Sequence, residues 1–141
     1  MPYIVGPTNI SQLSMDNGIV RSGIRTTTST GSATLVSLDA STFTSVDYQV
    51  QVVKGSSFNS ALIKVIHDGS TAYMTEYGNV NQPDVGIATF SADISGGDIR
   101  LLGFPDSSDS TTFKVIFSAI KSTSPIWINF FSFIYVGFCA F

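Results

Sequence analysis

Hydrophobic and polar residues alternate along the middle of the chain with the period of a β-strand. The clearest stretch runs from Val46 to Val52, where valine and tyrosine alternate with aspartate and glutamine. Successive side chains of a strand point to opposite faces of a sheet, so this stretch predicts a half-buried strand. Similar patterns predict strands over 33–38 and 111–120. The inner positions predicted for the last strand are Phe113, Val115 and Phe117.

Two strand-like runs in residues 60–77 flank Asp68 and Gly69. An Asp-Gly pair between such runs predicts a hairpin with a two-residue turn, because both residue types tolerate positive φ. That turn places Val65 opposite Ala72. One face of the predicted hairpin then holds Ile63, Val65, Ala72 and Met74, and the other holds Leu62, Lys64, Ile66, Tyr73 and Thr75.

A second hairpin is predicted over 87–104, with Gly96 and Gly97 in its turn. The predicted register sets Asp93 opposite Arg100, and cross-strand pairs of opposite charge stabilise a hairpin by about 0.2–1 kcal/mol. The same register gathers the apolar side chains on the other face. These are Phe90, Ala92, Ile94, Ile99 and Leu101.

About seven such strands predict an antiparallel β-sandwich over residues 32–121, of Greek-key or jelly-roll type. Within it, residues 78–86 are predicted to be a loop, because Pro83 cannot donate a ladder hydrogen bond. Residues 1–31 show no sustained period and predict an irregular N-terminal arm. This arm is either a floppy tail with one short strand near 18–24 or an assembly arm that orders on a neighbouring subunit.

The C-terminal tail, residues 122–141, differs from the rest of the chain because its last seventeen residues carry no charged side chain. Three interpretations of this tail stay open. The first is appended sequence, read through a lost stop codon or a frameshift. The second is an apolar strand buried in an interface or core, and the third is a membrane anchor. A helix of seventeen residues spans about 25 Å, slightly less than the hydrocarbon core of a bilayer.

Composition narrows the classes of function. Charged residues make up 12 % of the chain, the net charge is -3, and serine and threonine together occupy 35 positions. The seven lysine and arginine residues are dispersed, which argues against a nucleic-acid partner. With one cysteine and one histidine, the chain offers no set of ligands for a structural zinc site.

Candidate chemistry is sparse. His67 is predicted to be a solvent-facing strand end, and no nucleophile elbow surrounds any serine. Glu76 and Asp84 are interpreted as solvated loop charges, since many surface carboxylates pair by chance. We therefore predict no catalytic residue, no metal and no cofactor. The candidate ligand contacts are Tyr73, Tyr77, Asn79 and Asp84, in which two tyrosines at strand spacing could form an aromatic shelf for a sugar.

Four blocks carry a family resemblance: VDYQVQV, KVIHDGSTAYMTEYG, ATFSADISGGDIRLL and STTFKVIFSAI. In this order and spacing, over residues 33–120, they resemble a module of virion structural and tail-fibre proteins of marine tailed bacteriophages, notably the T4-like phages of cyanobacteria. The resemblance implies a non-enzymatic virion component that works in particle assembly or host adhesion. It brings no catalytic residues.

By analogy with such fibres, we expect a homo-oligomer, specifically a homotrimer. We also expect contacts with other virion proteins. A host-surface glycan is a further possible partner, and a carbohydrate- or receptor-binding module is the alternative function. A third function, a tail-anchored membrane surface protein, depends wholly on residues 125–141, and a membrane partner is not expected.

Overall fold

The computed structural model describes residues 10–83 and 85–122. This part of the chain contains nine strands, and every pair of neighbouring strands is antiparallel. The strands are β1 (Gln12–Met15), β2 (Gly18–Thr27), β3 (Ala33–Asp39), β4 (Phe43–Lys54), β5 (Ser57–His67), β6 (Ala72–Gln82), β7 (Ala88–Ser95), β8 (Asp98–Pro105) and β9 (Thr111–Lys121).

The strands form two sheets. One has six strands in the order β1-β2-β9-β4-β5-β6, and the other has three in the order β3-β8-β7. The core lies between the sheets, so the prediction of an antiparallel β-sandwich is confirmed. Its largest fully buried side chains include Tyr48, Ile63, Ile99, Leu101 and Phe113.

The periodic strands have the predicted faces. The four alternating apolar residues of β4 are at most 1 % exposed, and the predicted inner residues of β9 are at most 2 % exposed. Burying one such side chain stabilises the fold by about 1.5–3 kcal/mol. β9 pairs with β2 on one side and with β4 on the other, so the last strand joins the two halves of the large sheet.

The prediction of an irregular arm is wrong for residues 12–27. β1 and β2 belong to the large sheet, and β2 pairs with β9 along ten residues. Ile19 is buried, but the inner-facing Arg21 is half-buried over the ring of Phe117, 5.3 Å from its centroid. The polar residues on the inner side of β2 break the alternation, which explains why the sequence pattern indicated at most a short strand near 18–24.

The β5–β6 hairpin has the predicted faces but a different register. Val65 pairs with Met74 and His67 with Ala72, so the loop has four residues rather than two. The longer loop is explained by Asp68, whose carboxylate accepts hydrogen bonds from the N–H groups of Ser70 at 3.0 Å and Thr71 at 2.8 Å. A shift of two residues between partners keeps every side chain on its predicted face.

The β7–β8 hairpin confirms its predicted register. Gly96 and Gly97 have φ values of 59° and 83°, as a two-residue type I′ turn requires at both positions. Asp93 pairs with Arg100, and their side chains form an ion pair with an N–O distance of 2.6 Å.

The prediction of a loop over 78–86 is wrong for its first half, because β6 continues to Gln82. A bulge opposite Ser60 and Leu62 shifts the pairing, and Gly78 there has a φ of 64°. The polar composition of this half reflects an edge strand exposed on both faces. Residues 1–9, Asp84 and residues 123–141, which include nearly all of the predicted tail, lie outside the described residues.

Candidate functional site

The most distinctive surface of the described chain is the face of the six-stranded sheet that points away from the three-stranded sheet. We call it the outer face. With the exceptions of Ile10 and Val85, every large apolar side chain that is exposed in the described chain belongs to it. They are Leu13, Met15, Ile24, Phe58, Leu62, Ile66, Tyr73, Tyr77, Val80, Ile116 and Ile120.

Strand register explains why these side chains share one face. Ile116 lies between the buried Val115 and Phe117 on β9 and therefore points away from the core. Its neighbour across β2 is Ser22, and Ile24 points in the same direction beside Lys114. Because the sheet has period two, the outward positions of adjacent strands line up into one continuous surface.

The outer face contains three shallow depressions. The largest, of about 430 Å³, lies over β2, β9 and β4 between Ile24, Ile116 and the amides of Gln49 and Gln51. The second, of about 270 Å³, lies over β9, β4 and β5 and reaches Tyr77. The third, of about 260 Å³, lies near the far end of β5 and β6, beside Phe58 and Val80.

Few charges interrupt the outer face. Asp47 and Lys64 form an ion pair at 3.3 Å, with both side chains about half exposed. An exposed pair of this kind contributes little to stability, at most about 1 kcal/mol. The third charged residue of this face is Lys114, which lies on β9. The face is therefore apolar and amide-rich, with nearly balanced charge.

The structure brings two of the four candidate ligand contacts together. Tyr73 and Tyr77 both lie on the outer face of β6, and they are 53 % and 47 % exposed. Asn79 follows the bulge and lines a different, small cavity of about 70 Å³, at the edge between the sheets, together with Asn59 and Asn81. Asp84 lies outside the described residues, so no place can be given to it.

Tyr73 is also part of the β5–β6 loop. Its hydroxyl donates a hydrogen bond of 3.0 Å to the Asp68 carboxylate. Together with the N–H groups of Ser70 and Thr71, which are the larger causes, this bond lowers the pKa of Asp68 to about 2. The same bond raises the pKa of Tyr73. Tyr77 has no such tie to the loop in the described chain, so its ring is the less constrained of the two.

His67 has a structural position rather than a solvent-facing one. Its Nε2 contacts the backbone carbonyl of Phe43, and its Nδ1 accepts a hydrogen bond of 3.0 Å from Gly69 N–H. The ring is half-buried and links the end of β5 to the start of β4. Both ring nitrogens are therefore engaged with backbone groups.

Among residues 10–83 and 85–122, no three His, Cys, Asp or Glu side chains come together in a way that could hold a metal ion. The same residues include no helix long and apolar enough to cross a bilayer.

Sequence reasoning identified the β5–β6 part of the outer face and missed the part formed by β2 and β9. The predicted arm includes Ile24, and the pattern of β9 alone does not show that its outward side chains join a larger surface. The signal was present in β9, where Ile116 and Ile120 occupy outward positions that are usually polar. Only the pairing of β9 with β2 and β4 shows that these residues continue the face begun by Leu62 and Tyr77.

Comparison with models of known protein families gives no match, and comparison with curated proteins gives none either. Among solved structures, the chain is similar to the tailspike protein of Acinetobacter phage vB_ApiP_P1, with a TM-score of 0.50 and 12 % identity over 86 % of this chain and 25 % of that chain. The tailspike protein of Acinetobacter baumannii phage AM24 has a TM-score of 0.41 and 10 % identity, over 76 % and 27 %. The chain thus spans about a quarter of the length of these proteins, and at this identity the similarity concerns the fold.

Proposed function

We propose that this chain is a non-enzymatic structural module of a tailed-phage particle, a fibre or decoration subunit that acts in assembly and in adhesion to the host surface. The observation that carries the proposal is the shared fold with part of a phage tailspike protein. The four sequence blocks that resemble tail-fibre modules of T4-like marine phages support the same role. The assignment to that group of phages rests on these blocks and not on the structural comparison.

The non-enzymatic part of the proposal is supported by three described titratable side chains that are engaged in structural contacts. His67 is bound to two backbone groups, and the Asp68 carboxylate is taken up by its own turn. Asp93 is held by two hydrogen bonds from Arg100 on the outer surface of the small sheet. Each group has a structural task, whereas general acid–base catalysis needs such groups directed together at a substrate.

Mass spectrometry of purified phage particles tests the virion role. We expect peptides from residues 10–122 in the particle at a constant ratio to the other tail proteins, through successive density-gradient fractions. Antibodies against the folded chain should label the tail or another fixed position in electron micrographs. Absence of these peptides from intact particles, with detection in the infected-cell lysate, would contradict the proposed location.

A second candidate function, glycan recognition, is favoured by the position of the two tyrosines. Tyr73 and Tyr77 expose their rings on the same side of β6, and Tyr77 lines a depression that Gln49 also lines. Aromatic rings and planar amides are groups that sugars bind through stacking and hydrogen bonds. A glycan array with Tyr77→Ala and Tyr73→Ala tests it, with Thr89→Ala on the small sheet as the control. Loss of about tenfold in affinity in the tyrosine variants alone would support it.

A further inference from the structure

We infer that the outer face is the surface through which copies of this chain bind one another. The inference rests on the proposed structural role in particle assembly and on the homo-oligomer expected from the sequence. It assigns the contact between copies to a defined surface, with Ile24, Leu62 and Ile116 near the middle. Soluble monomers rarely expose continuous apolar patches larger than a few hundred Å². Eleven exposed large apolar side chains lie on the outer face, on both sides of the mostly polar outward positions of β4, and this number argues that a partner covers the face.

The size of the face fits a stable interface between protein chains. Five of the six strands have ten to twelve residues and β1 has four, so at about 3.3 Å per residue and about 4.8 Å between strands the face presents roughly 800 Å². A stable protein interface of standard size buries about 800 Å² from each partner. The face can meet one copy or be shared between two neighbouring copies around a three-fold axis, and the buried area per chain is similar in both cases.

The chemistry of the face favours a copy of the same chain over a glycan. The three aromatic residues, Phe58, Tyr73 and Tyr77, all lie on β5 and β6 at one side. The remainder of the apolar surface is aliphatic, and aliphatic side chains offer no hydrogen bonds to sugar hydroxyls. Protruding side chains such as Ile24 alternate with depressions of about 260 to 430 Å³, which can accept the side chains of a like surface.

Electrostatics permits two identical faces to approach. Asp47 and Lys64 neutralise one another at 3.3 Å and leave Lys114 as the one charge of this face without an ion pair among the described residues, so two like faces bring together only one unpaired charge each. The outer surface of the small sheet is different, because no exposed large apolar side chain of the described chain lies on it. That surface is suited to remain in contact with solvent.

Sedimentation velocity of the full chain over a wide concentration range tests the inference. We expect an oligomer that Ile116→Glu and Ile116→Lys each weaken about tenfold or more, because a charge at the centre of an interface is desolvated without a partner. Val80→Ser should also weaken the oligomer, whereas Val85→Ser should not, since these valines are 67 % and 62 % exposed but only Val80 lies on the outer face.

Three results would overturn the inference. A full chain that remains monomeric would indicate that a glycan or residues 123–141 of the same chain cover the face. An oligomer unchanged by both Ile116 variants would place the interface elsewhere. An oligomer that Val85→Ser weakens as much as Val80→Ser would show that the outer face has no special part in association. Urea unfolding of each variant shows whether the fold is intact, and particle proteomics can succeed or fail independently of these outcomes.

Discussion

The two faces of the six-stranded sheet are built from the same strands and have different uses. On β9, Phe113 is 0 % exposed on the inner face, and three residues later Ile116 is 58 % exposed on the outer face. Both are large and apolar, so composition alone does not distinguish them. The difference is that the three-stranded sheet covers one face, while the other has no partner among the described residues. Apolar residues therefore serve the fold on one face and are available for association on the other.

The largest effect is expected from a matched pair of truncations on β9. Phe113→Ala removes a fully buried ring that packs edge-on against Phe90, with a centroid distance of 6.1 Å, and should lower the free energy of unfolding by about 3–5 kcal/mol. Ile116→Ala should change it by less than about 0.5 kcal/mol in the monomer. Urea denaturation at low protein concentration measures both. Equal losses would mean that the outer face is also packed within one chain.

The inner face contains one polar group that weakens it. Tyr48 is 1 % exposed, and its hydroxyl has no hydrogen-bond partner among the described residues. Burial raises the pKa of this phenol, which shows how poorly the site solvates charge. Tyr48→Phe should raise the free energy of unfolding by about 1 kcal/mol, since an unsatisfied buried hydroxyl carries a desolvation cost. Destabilisation by a similar amount would instead indicate a bound water or another partner for the hydroxyl.

The tight turn of β7–β8 keeps side chains on their faces, because a slip of one residue would exchange inside and outside. Gly97 has a φ of 83°, and a Cβ there would meet no atom within 4 Å. Gly97→Ala should therefore cost only the conformational penalty of positive φ, about 1 kcal/mol, and lower the melting temperature by a few degrees. Gly86→Ala is the control, because Gly86 is not at positive φ and a Cβ there would make only an ordinary contact of 3.9 Å with the Asn59 side chain. A loss of several kcal/mol would reveal a constraint beyond the backbone angle.

The smallest effect is expected from pH, through the β5–β6 loop. Hydrogen bonds from the N–H groups of Ser70 and Thr71 and from the Tyr73 hydroxyl lower the pKa of Asp68 to about 2, below its value in the unfolded chain. A lowered pKa in the folded state stabilises the fold above about pH 4, and this contribution is lost as pH falls towards about 2. Asp68→Asn should flatten the dependence of the melting temperature on pH in that window.

Other carboxylates contribute in the same direction, since the pKa values of Asp39 and Asp93 are also lowered by their hydrogen bonds. The Asp68→Asn comparison therefore concerns a difference between two pH profiles rather than the slope of one. Identical profiles would mean that the loop hydrogen bonds persist in the unfolded chain or that they contribute no stability.

Apart from the extension of β6 over 78–82, local pattern alone was sufficient for the strands and faces from Ala33 to Lys121. Alternation in β4 and β9 identified their buried positions, and the two glycines of the β7–β8 turn fixed its register. The faces of β5 and β6 are also as predicted, although the Asp68 loop is two residues longer. The pairing shifts by two residues, an even number, so no side chain changes face. These features depend on residues near one another in sequence, and local sequence reports such features well.

Only the tertiary structure decided the rest. β2 becomes a ten-residue strand because β9, about ninety residues away, offers it an unpaired edge, whereas its own sequence indicates at most a short strand near 18–24. The extension of β6 to Gln82 likewise depends on the backbone of β5 beside it. The outer face exists only when β2, β9, β5 and β6 are placed side by side, because a surface assembled from distant strands has no signature in any single stretch of the chain.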